Sequence, residues 1–295
     1  EWAQGANTIA FDLETDQIDF RFHNILLLVM YKGEGDVLIV PGKHGGTPVD
    51  VLRDSAHHPF WKEFWSNPLN TYIGHNAKFD LRFLRYRMMW DARCDFDTML
   101  AHYVLDERKG THDLKGLSAR FLNVPDYESE LHTHLRSRND YYGKIPWALL
   151  CQYAAWDAWC TFRLYEMFKN DLTDAGQYWW PFNNIIMPLS EVLTQAELHG
   201  IQVDEAHLEK AATEFDKRLN EIAATIKRMS KGVVLNMNSS KQMSEFLYGA
   251  PAYLDPATNK MVETGCLGLK APSSRKIKEG STSKDALEHL KGQHE

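Results

Sequence analysis

Residues 25–31 read ILLLVMY, seven apolar or aromatic residues with no polar break. A strand with one wet face alternates polar and apolar side chains. An unbroken run therefore predicts a strand covered on both faces. Such a strand needs a sheet with a packed layer on either side. The chain has 295 residues, enough for that and for a second domain. Other runs fill out the sheet. Residues 36–40 (DVLIV) follow a Gly33–Gly35 turn and predict a hairpin with the first run. Residues 7–11 (NTIAF) form a short β-prone run that ends in acidic residues, and residues 71–73 lead into Gly74. Strands come first and helical patterns afterwards, which predicts an α/β fold with a mixed sheet flanked by helices.

Composition removes several classes. Apolar content is 44% and charged content 25%, ordinary for a globular protein. The apolar run at residues 25–30 is far short of the ~20 residues that cross a bilayer, so no membrane association is expected, and no signal peptide is visible. Cys94, Cys151, Cys160 and Cys266 form no C-x-x-C pair and suggest neither a zinc nor a disulfide framework. A reducing cytoplasm fits that usage. The net charge of −7 argues against a nucleic-acid partner held by basic patches alone. That objection lapses if the excess carboxylates hold cations. The chain opens on Glu1 rather than Met and reads as a fragment at that end.

Past residues 176–181 the pattern is helical. Leu189, Val192, Leu193 and Ala196 share a face, with Gly200 placed to end the helix. Asp204 is placed to cap the next one, in which Leu208, Ala212, Phe215, Leu219, Ile222, Ile226 and Met229 recur at spacings of four and three. That spacing predicts a seam between two helices packed side by side. Ser239 with Gln242, and Thr282 with Asp285, predict capping boxes. Residues 249–281 read as loop, and Lys270, Arg275, Lys276 and Lys278 form a small basic cluster in it, a surface loop or a phosphate contact.

Three local patterns carry the chemistry. In FDLET (11–15), period two puts Asp12 and Glu14 on one face of a strand end. In GHNAKFDLRFL (74–84), Asn76 and Asp80 lie four apart, one above the other if the stretch is helical. In YAAWDAWC (153–160), Tyr153 and Asp157 are again four apart, in a helix predicted over residues 146–168. There Asp157 interrupts the apolar stripe Leu150, Tyr153, Cys160 and Leu164. A buried carboxylate is costly unless paired or metal-bound. Alone, each pattern also reads as a solvated strand end, a helix cap or a surface acid. If Asp12, Glu14, Asp80 and Asp157 converge, charges ~4 Å apart repel by about 4 kcal/mol per pair at an effective dielectric near 20. Only protonation or divalent cations relieve that. Oxygen-only ligands select hard ions such as Mg²⁺ or Mn²⁺. Two such ions can clamp a phosphodiester.

These motifs resemble those of the DEDD exonuclease superfamily, in its tyrosine-containing branch. FDLET matches the first motif, Asn76 with Phe79 and Asp80 the second, and Tyr153 with Asp157 the third. Residues 95–122 resemble the connecting segment of the proofreading domain of family A (DNA polymerase I-like) DNA polymerases. Residues 188–210, 235–249 and 280–290 resemble that family's thumb.

The resemblance implies an RNase H-like (DnaQ-like) fold with about five strands in residues 1–178 and a truncated thumb in 179–295. It implies Asp12, Glu14, Asp80 and Asp157 as ligands of two Mg²⁺ or Mn²⁺ ions, and Tyr153 positioning the water. Thr15 and Asn76 would support the site or the terminal nucleotide. The expected activity is Mg²⁺-dependent removal of nucleotides from DNA 3′ ends, on single strands or at a primer-template, in replication or repair. The expected setting is a monomer in the cytoplasm, or a phage-encoded one acting in its host's cytoplasm. No palm or fingers segment follows, so the chain is not expected to polymerise DNA. A ribonuclease D-like exoribonuclease and a non-catalytic nucleic-acid-binding module are the alternatives.

Overall fold

The computed structural model describes residues 7–47, 49–137, 140–230, 236–250, 252–255, 260–263, 266–270 and 282–291. The chain divides into two compact units, Glu1–Ile201 and Gln202–Glu295.

The first unit is built on a five-stranded mixed sheet. Strands β1 (Thr8–Thr15), β2 (Ile25–Tyr31) and β3 (Leu38–Pro41) form an antiparallel meander. After helix α1 (His58–Ser66), strand β4 (Thr71–Gly74) pairs parallel to β1. Helix α2 (Lys78–Arg87) then leads to the two-residue β5 (Phe96–Asp97), parallel to β4. The strand order is β3-β2-β1-β4-β5. Helices α3 (Thr98–Leu105), α4 (Leu114–Leu122) and the single turn α5 (Ser129–His132) precede the 28-residue α6 (Trp147–Asp174). A short α7 (Trp179–Pro181) and a π-helical turn, Phe182–Ile186, run into α8 (Met187–His199).

The apolar run at residues 25–31 is β2, and all seven of its residues are buried. Alternation along the strands sorts side chains into two cores. Ile9, Phe11, Leu13, Leu28 and Met30 join Trp61, Phe64, Trp65, Leu81 and Leu84 from α1 and α2. Ala10, Leu27 and Val29 join Leu150, Ala154, Ala158 and Leu164 from α6. Period two puts Asp12 and Glu14 on the Ala10 side, facing α6. Helices thus cover both faces, as the unbroken run requires.

Helix α8 departs from expectation. Its apolar face of Leu189, Val192 and Leu193 is exposed, and only Thr194 on it is buried. It approaches α2 through charge: Lys78 and Arg82 pair with Glu197, and Arg85 pairs with Glu191 in a two-pronged bond of 2.7 and 2.9 Å. Gly200 ends the helix as expected, with φ 73°.

The second unit holds α9 (Glu205–Met229), α10 (Ser240–Tyr248), a hairpin of β6 (Ala252–Asp255) and β7 (Lys260–Glu263), and α11 (Lys284–Lys291). Asp204 caps α9 through the His207 N–H at 2.9 Å, and Ser239 caps α10 through the Gln242 N–H at 3.4 Å. Three expectations fail here. The α9 seam is not packed: Leu208, Phe215, Leu219, Ile222 and Met229 are exposed, and only Ile226 meets the small core of Phe246, Leu247 and Leu290. Residues 249–281 are not all loop, because β6 and β7 pair within them. The last helix is capped by Ser283, whose Oγ accepts from the Ala286 N–H at 3.4 Å, rather than by Thr282. Of the basic cluster, Arg275, Lys276 and Lys278 lie outside the described residues.

Candidate active site

Strands β1, β4 and β5 run parallel, so their carboxyl ends open on the same edge of the sheet. In open α/β sheets that edge is where ligands bind. A cavity of about 490 Å³ lies there, lined by Asp12, Glu14, Asp80, Lys115, Tyr153 and Asp157 among others. Each acid arrives by a local cause. Asp12 and Glu14 ride the α6-facing side of β1, where the register slips between Glu14 and Thr15 and bends the strand end. Tyr153 and Asp157 are one turn apart on α6. Asp80 stands in the first turn of α2, and its carboxylate accepts the Leu13 N–H at 3.1 Å.

Oxygens of Asp12, Glu14 and Asp157 all lie within 4.8 Å of one another. Asp80 joins the same cavity from the far side of β1. Glu14, Asp80 and Asp157 are buried and Asp12 is half-buried. Burial, then the Asp157 charge, pushes the Asp12 carboxyl up to about 7. Glu14 is raised by burial, then by Asp12 and Asp157. Asp80 is raised by burial and then by Asp12. Burial also raises Asp157, opposed by Lys115 and by the hydroxyls of Tyr127 and Tyr153. The cluster thus resists carrying its full charge unless a cation offsets it. The donor set fits hard divalent ions.

Asn76 differs from expectation. It lies outside the helix, exposed, with φ 56°, and α2 begins only at Lys78. The left-handed turn lets the N–H groups of Asn76 and Ala77 both reach Asp97, at 3.1 and 2.8 Å. Gly74 makes the turn possible, because a Cβ there would meet the Ala77 Cβ at 2.5 Å. Asn76 still lines the cavity. So does Thr15, whose hydroxyl donates to the Gln17 carbonyl at 2.9 Å.

Three residues went unread in the sequence. Asp97 is buried and also accepts from the Met99 and Leu100 N–H groups, so one carboxylate ties the β4–α2 turn to the start of α3. Lys115, in the first turn of α4, pairs its ammonium with Asp157, and the Tyr127 hydroxyl donates to the same Asp157 oxygen at 2.6 Å. A cation at a helix N-terminus opposes the helix dipole. In THDLKGL, a lysine two residues after a capping aspartate was the available sign of an acidic partner.

A five-stranded mixed sheet with acids converging at its carboxyl edge is the arrangement of an RNase H-like 3′–5′ exonuclease domain. Residues 1–173 match a family model described as 3′–5′ exonuclease, that of DNA polymerase A, and the chain belongs to that family. It is 29% identical to a DNA polymerase of Escherichia phage T5, over 97% of this chain and 34% of the relative. It is 28% identical to DNA polymerase I of Borreliella burgdorferi, over 98% of this chain and 29% of the relative. The chain thus spans between about a fifth and a third of the length of the curated relatives it matches. Among solved structures it resembles the POL domain of Pol1 from M. smegmatis in complex with DNA primer-template and dNTP. That likeness has a TM-score of 0.67 at 19% identity and covers 99% of this chain and 43% of the other. Brucella melitensis NrnC with bound Mg²⁺ shares the fold at a TM-score of 0.51 and 17% identity, over 66% of this chain and 87% of that one. Among the described residues no helix is long and apolar enough to cross a membrane.

Proposed function

We propose that this chain is the proofreading segment of a family A DNA polymerase, removing nucleotides from DNA 3′ ends by a two-metal mechanism. Residues 1–178 would form the nuclease domain and 179–295 part of the thumb. The observation that carries the reading is the convergence of Asp12, Glu14 and Asp157 oxygens within 4.8 Å.

Asp12, Glu14, Asp80 and Asp157 are the residues that would hold two Mg²⁺ or Mn²⁺ ions. When bound, such ions supply a nucleophilic hydroxide at neutral pH and offset the charge on the leaving 3′ oxygen. Asp12 lies between the other acids and bridges them electrostatically, since it raises both Glu14 and Asp80. Asp80, held by the Leu13 N–H, is fixed relative to β1 and keeps the two halves of the ligand set in register. Tyr153 stays protonated, because burial and then the Asp157 charge raise its hydroxyl. It therefore orients an attacking water as a neutral hydrogen-bonding group and does not act as a base. Thr15 and Asn76 line the cavity where the terminal nucleotide would sit. The relatives act on nucleic acid; we take DNA as the substrate, a monomer as the acting form and a bacterial or phage-infected cytoplasm as the setting.

The test is incubation of the chain with 5′-labelled single-stranded DNA, with Mg²⁺ and with EDTA, beside Asp12→Ala. Shortening from the 3′ end that needs both metal and Asp12 supports the reading. Trimming of an RNA oligomer but not of DNA moves the assignment to a ribonuclease, and cleavage of neither leaves only binding.

A further inference from the structure

The acidic cluster already contains a cation, and the chain supplies it. The Lys115 ammonium is paired with Asp157 and lies 3.1 Å from the Tyr127 hydroxyl. Among the described residues that line the cavity, Lys115 is the sole lysine or arginine. Its counterparts nearby are spent elsewhere, Lys78 and Arg82 on Glu197. Relying on the two-metal reading above, we propose that Lys115 is an internal counter-cation that occupies Asp157 until a divalent ion takes the carboxylate, so that metal loading and departure of the ammonium are one exchange.

The chemistry favours exchange over coexistence. The Asp157 oxygen that Lys115 touches is the one that also accepts from Tyr127. A divalent ion binds carboxylate oxygen at about 2.1 Å. An ammonium on that same oxygen would stand within a few ångströms of the ion, and the two positive charges would repel. The competitor must be able to leave, and lysine is suited to that. Its charge is a compact point on a flexible four-carbon stem, with no rigid fork to unlock.

The carboxylate is not its only partner. While paired with Asp157, the Lys115 nitrogen also lies 4.1 Å from the centroid of the Tyr153 ring and 4.4 Å from that of Tyr127. Two aromatic faces share the cation and lessen its dependence on the carboxylate. Tyr127 is itself held by stacking on Trp156, with centroids 5.7 Å apart. The arrangement keeps Asp157 in place and partly neutralised while the metal is absent, without filling the cavity. Lys115 is therefore a positioning residue, acting through Asp157.

The experiment is calorimetric titration of the full chain with Mn²⁺, for the parent, Lys115→Met and Lys115→Arg, each checked for folding by its melting transition. Removing one unit charge about 4 Å from the site, even screened as in water, changes affinity by about fivefold. We expect Lys115→Met to bind Mn²⁺ at least about fivefold more tightly than the parent. Lys115→Arg should bind Mn²⁺ no more tightly than the parent, since it keeps the charge and adds a fork that grips the carboxylate. The Mn²⁺ concentration for half-maximal DNA trimming should fall with the Met variant's Kd. If Lys115→Met fails to fold, Lys115→Gln serves in its place with the same expectation. Unchanged or weaker binding in the neutral variant overturns the proposal, as does equal tightening in Lys115→Arg, which would trace the effect to packing. If the parent binds Mn²⁺ but the neutral variant is no tighter, only this exchange fails. If the parent binds none, the two-metal reading fails with it.

Discussion

Asp12 is the acid whose removal separates charge from chemistry most cleanly. It is half-buried at the centre of the cluster, and burial with the Asp157 charge pushes its carboxyl up to about 7. In the ion-free protein its charge is a cost, so Asp12→Ala should melt no lower than the parent in EDTA. On the two-metal reading Asp12 would also be a metal ligand, so trimming should fall by about 10²–10³-fold, the cost of removing one preorganised electrostatic group from an active site. Single-turnover rates beside melting curves check both halves, and near-full activity would remove Asp12 from the ligand set. Tyr153 should behave differently. Tyr153→Phe keeps the ring against Lys115 and removes one hydroxyl, and loss of a group that positions the attacking water costs about 10²-fold. Complete loss of activity with normal Mn²⁺ binding would contradict a water-orienting role.

At the scale of elements, the site depends on turns that bring strand ends and helix starts together. Asp97 is the hinge point: one carboxylate accepts four N–H groups, from Asn76, Ala77, Met99 and Leu100. Asp97→Ala should lower stability by about 2–3 kcal/mol in urea unfolding, since it leaves buried N–H donors without their acceptor. It should also weaken Mn²⁺ binding, because the β4–α2 turn sets where Asp80 begins its helix. A loss under about 1 kcal/mol, ordinary for a single exposed cap, would reduce Asp97 to that role. These dependences explain what could be read in advance. β2 was legible because its signal is local and unbroken, and Asp12, Glu14 and Tyr153 with Asp157 because period two and a four-residue step are fixed by backbone geometry. The reach of Asp97 across the fold was not, since Asn76 and Ala77 lie 21 and 20 residues before it in the β4–α2 turn. Lys115 and Tyr127 were not, since their importance comes from Asp157 across the cavity. The apolar faces of α8 and α9 misled for the opposite reason. Their spacing is correct for packing, but spacing does not say whether a partner is present.

Across the whole molecule, the raised carboxyls tie stability to pH and to ions with a definite sign. Asp12, Glu14, Asp80 and Asp157 all have folded-state values above the ordinary carboxylate range. Between the ordinary value near 4 and the Asp12 value near 7, the folded protein binds more protons than the unfolded chain. Stability contributed by Asp12 is therefore complete below about pH 4 and is lost as pH rises through 7, and the other three raised acids act in the same direction. Divalent ions need the deprotonated acids, so they restore what high pH removes. Acids outside the site, such as half-buried Asp106 held low by hydrogen bonds from Arg108, shift the melting curve the other way at acid pH. The informative quantity is thus the difference between Mg²⁺ and EDTA, in which those acids cancel. We expect the melting temperature gained on adding Mg²⁺ to be near zero at pH 5 and several degrees at pH 8. Each kcal/mol of linkage gives about 2–4 °C in a chain approaching this size. Asp12→Ala should flatten that rise, since it removes the acid that couples the others. A gain from Mg²⁺ that is equal at pH 5 and pH 8 would mean that the ion binds elsewhere than on these carboxylates.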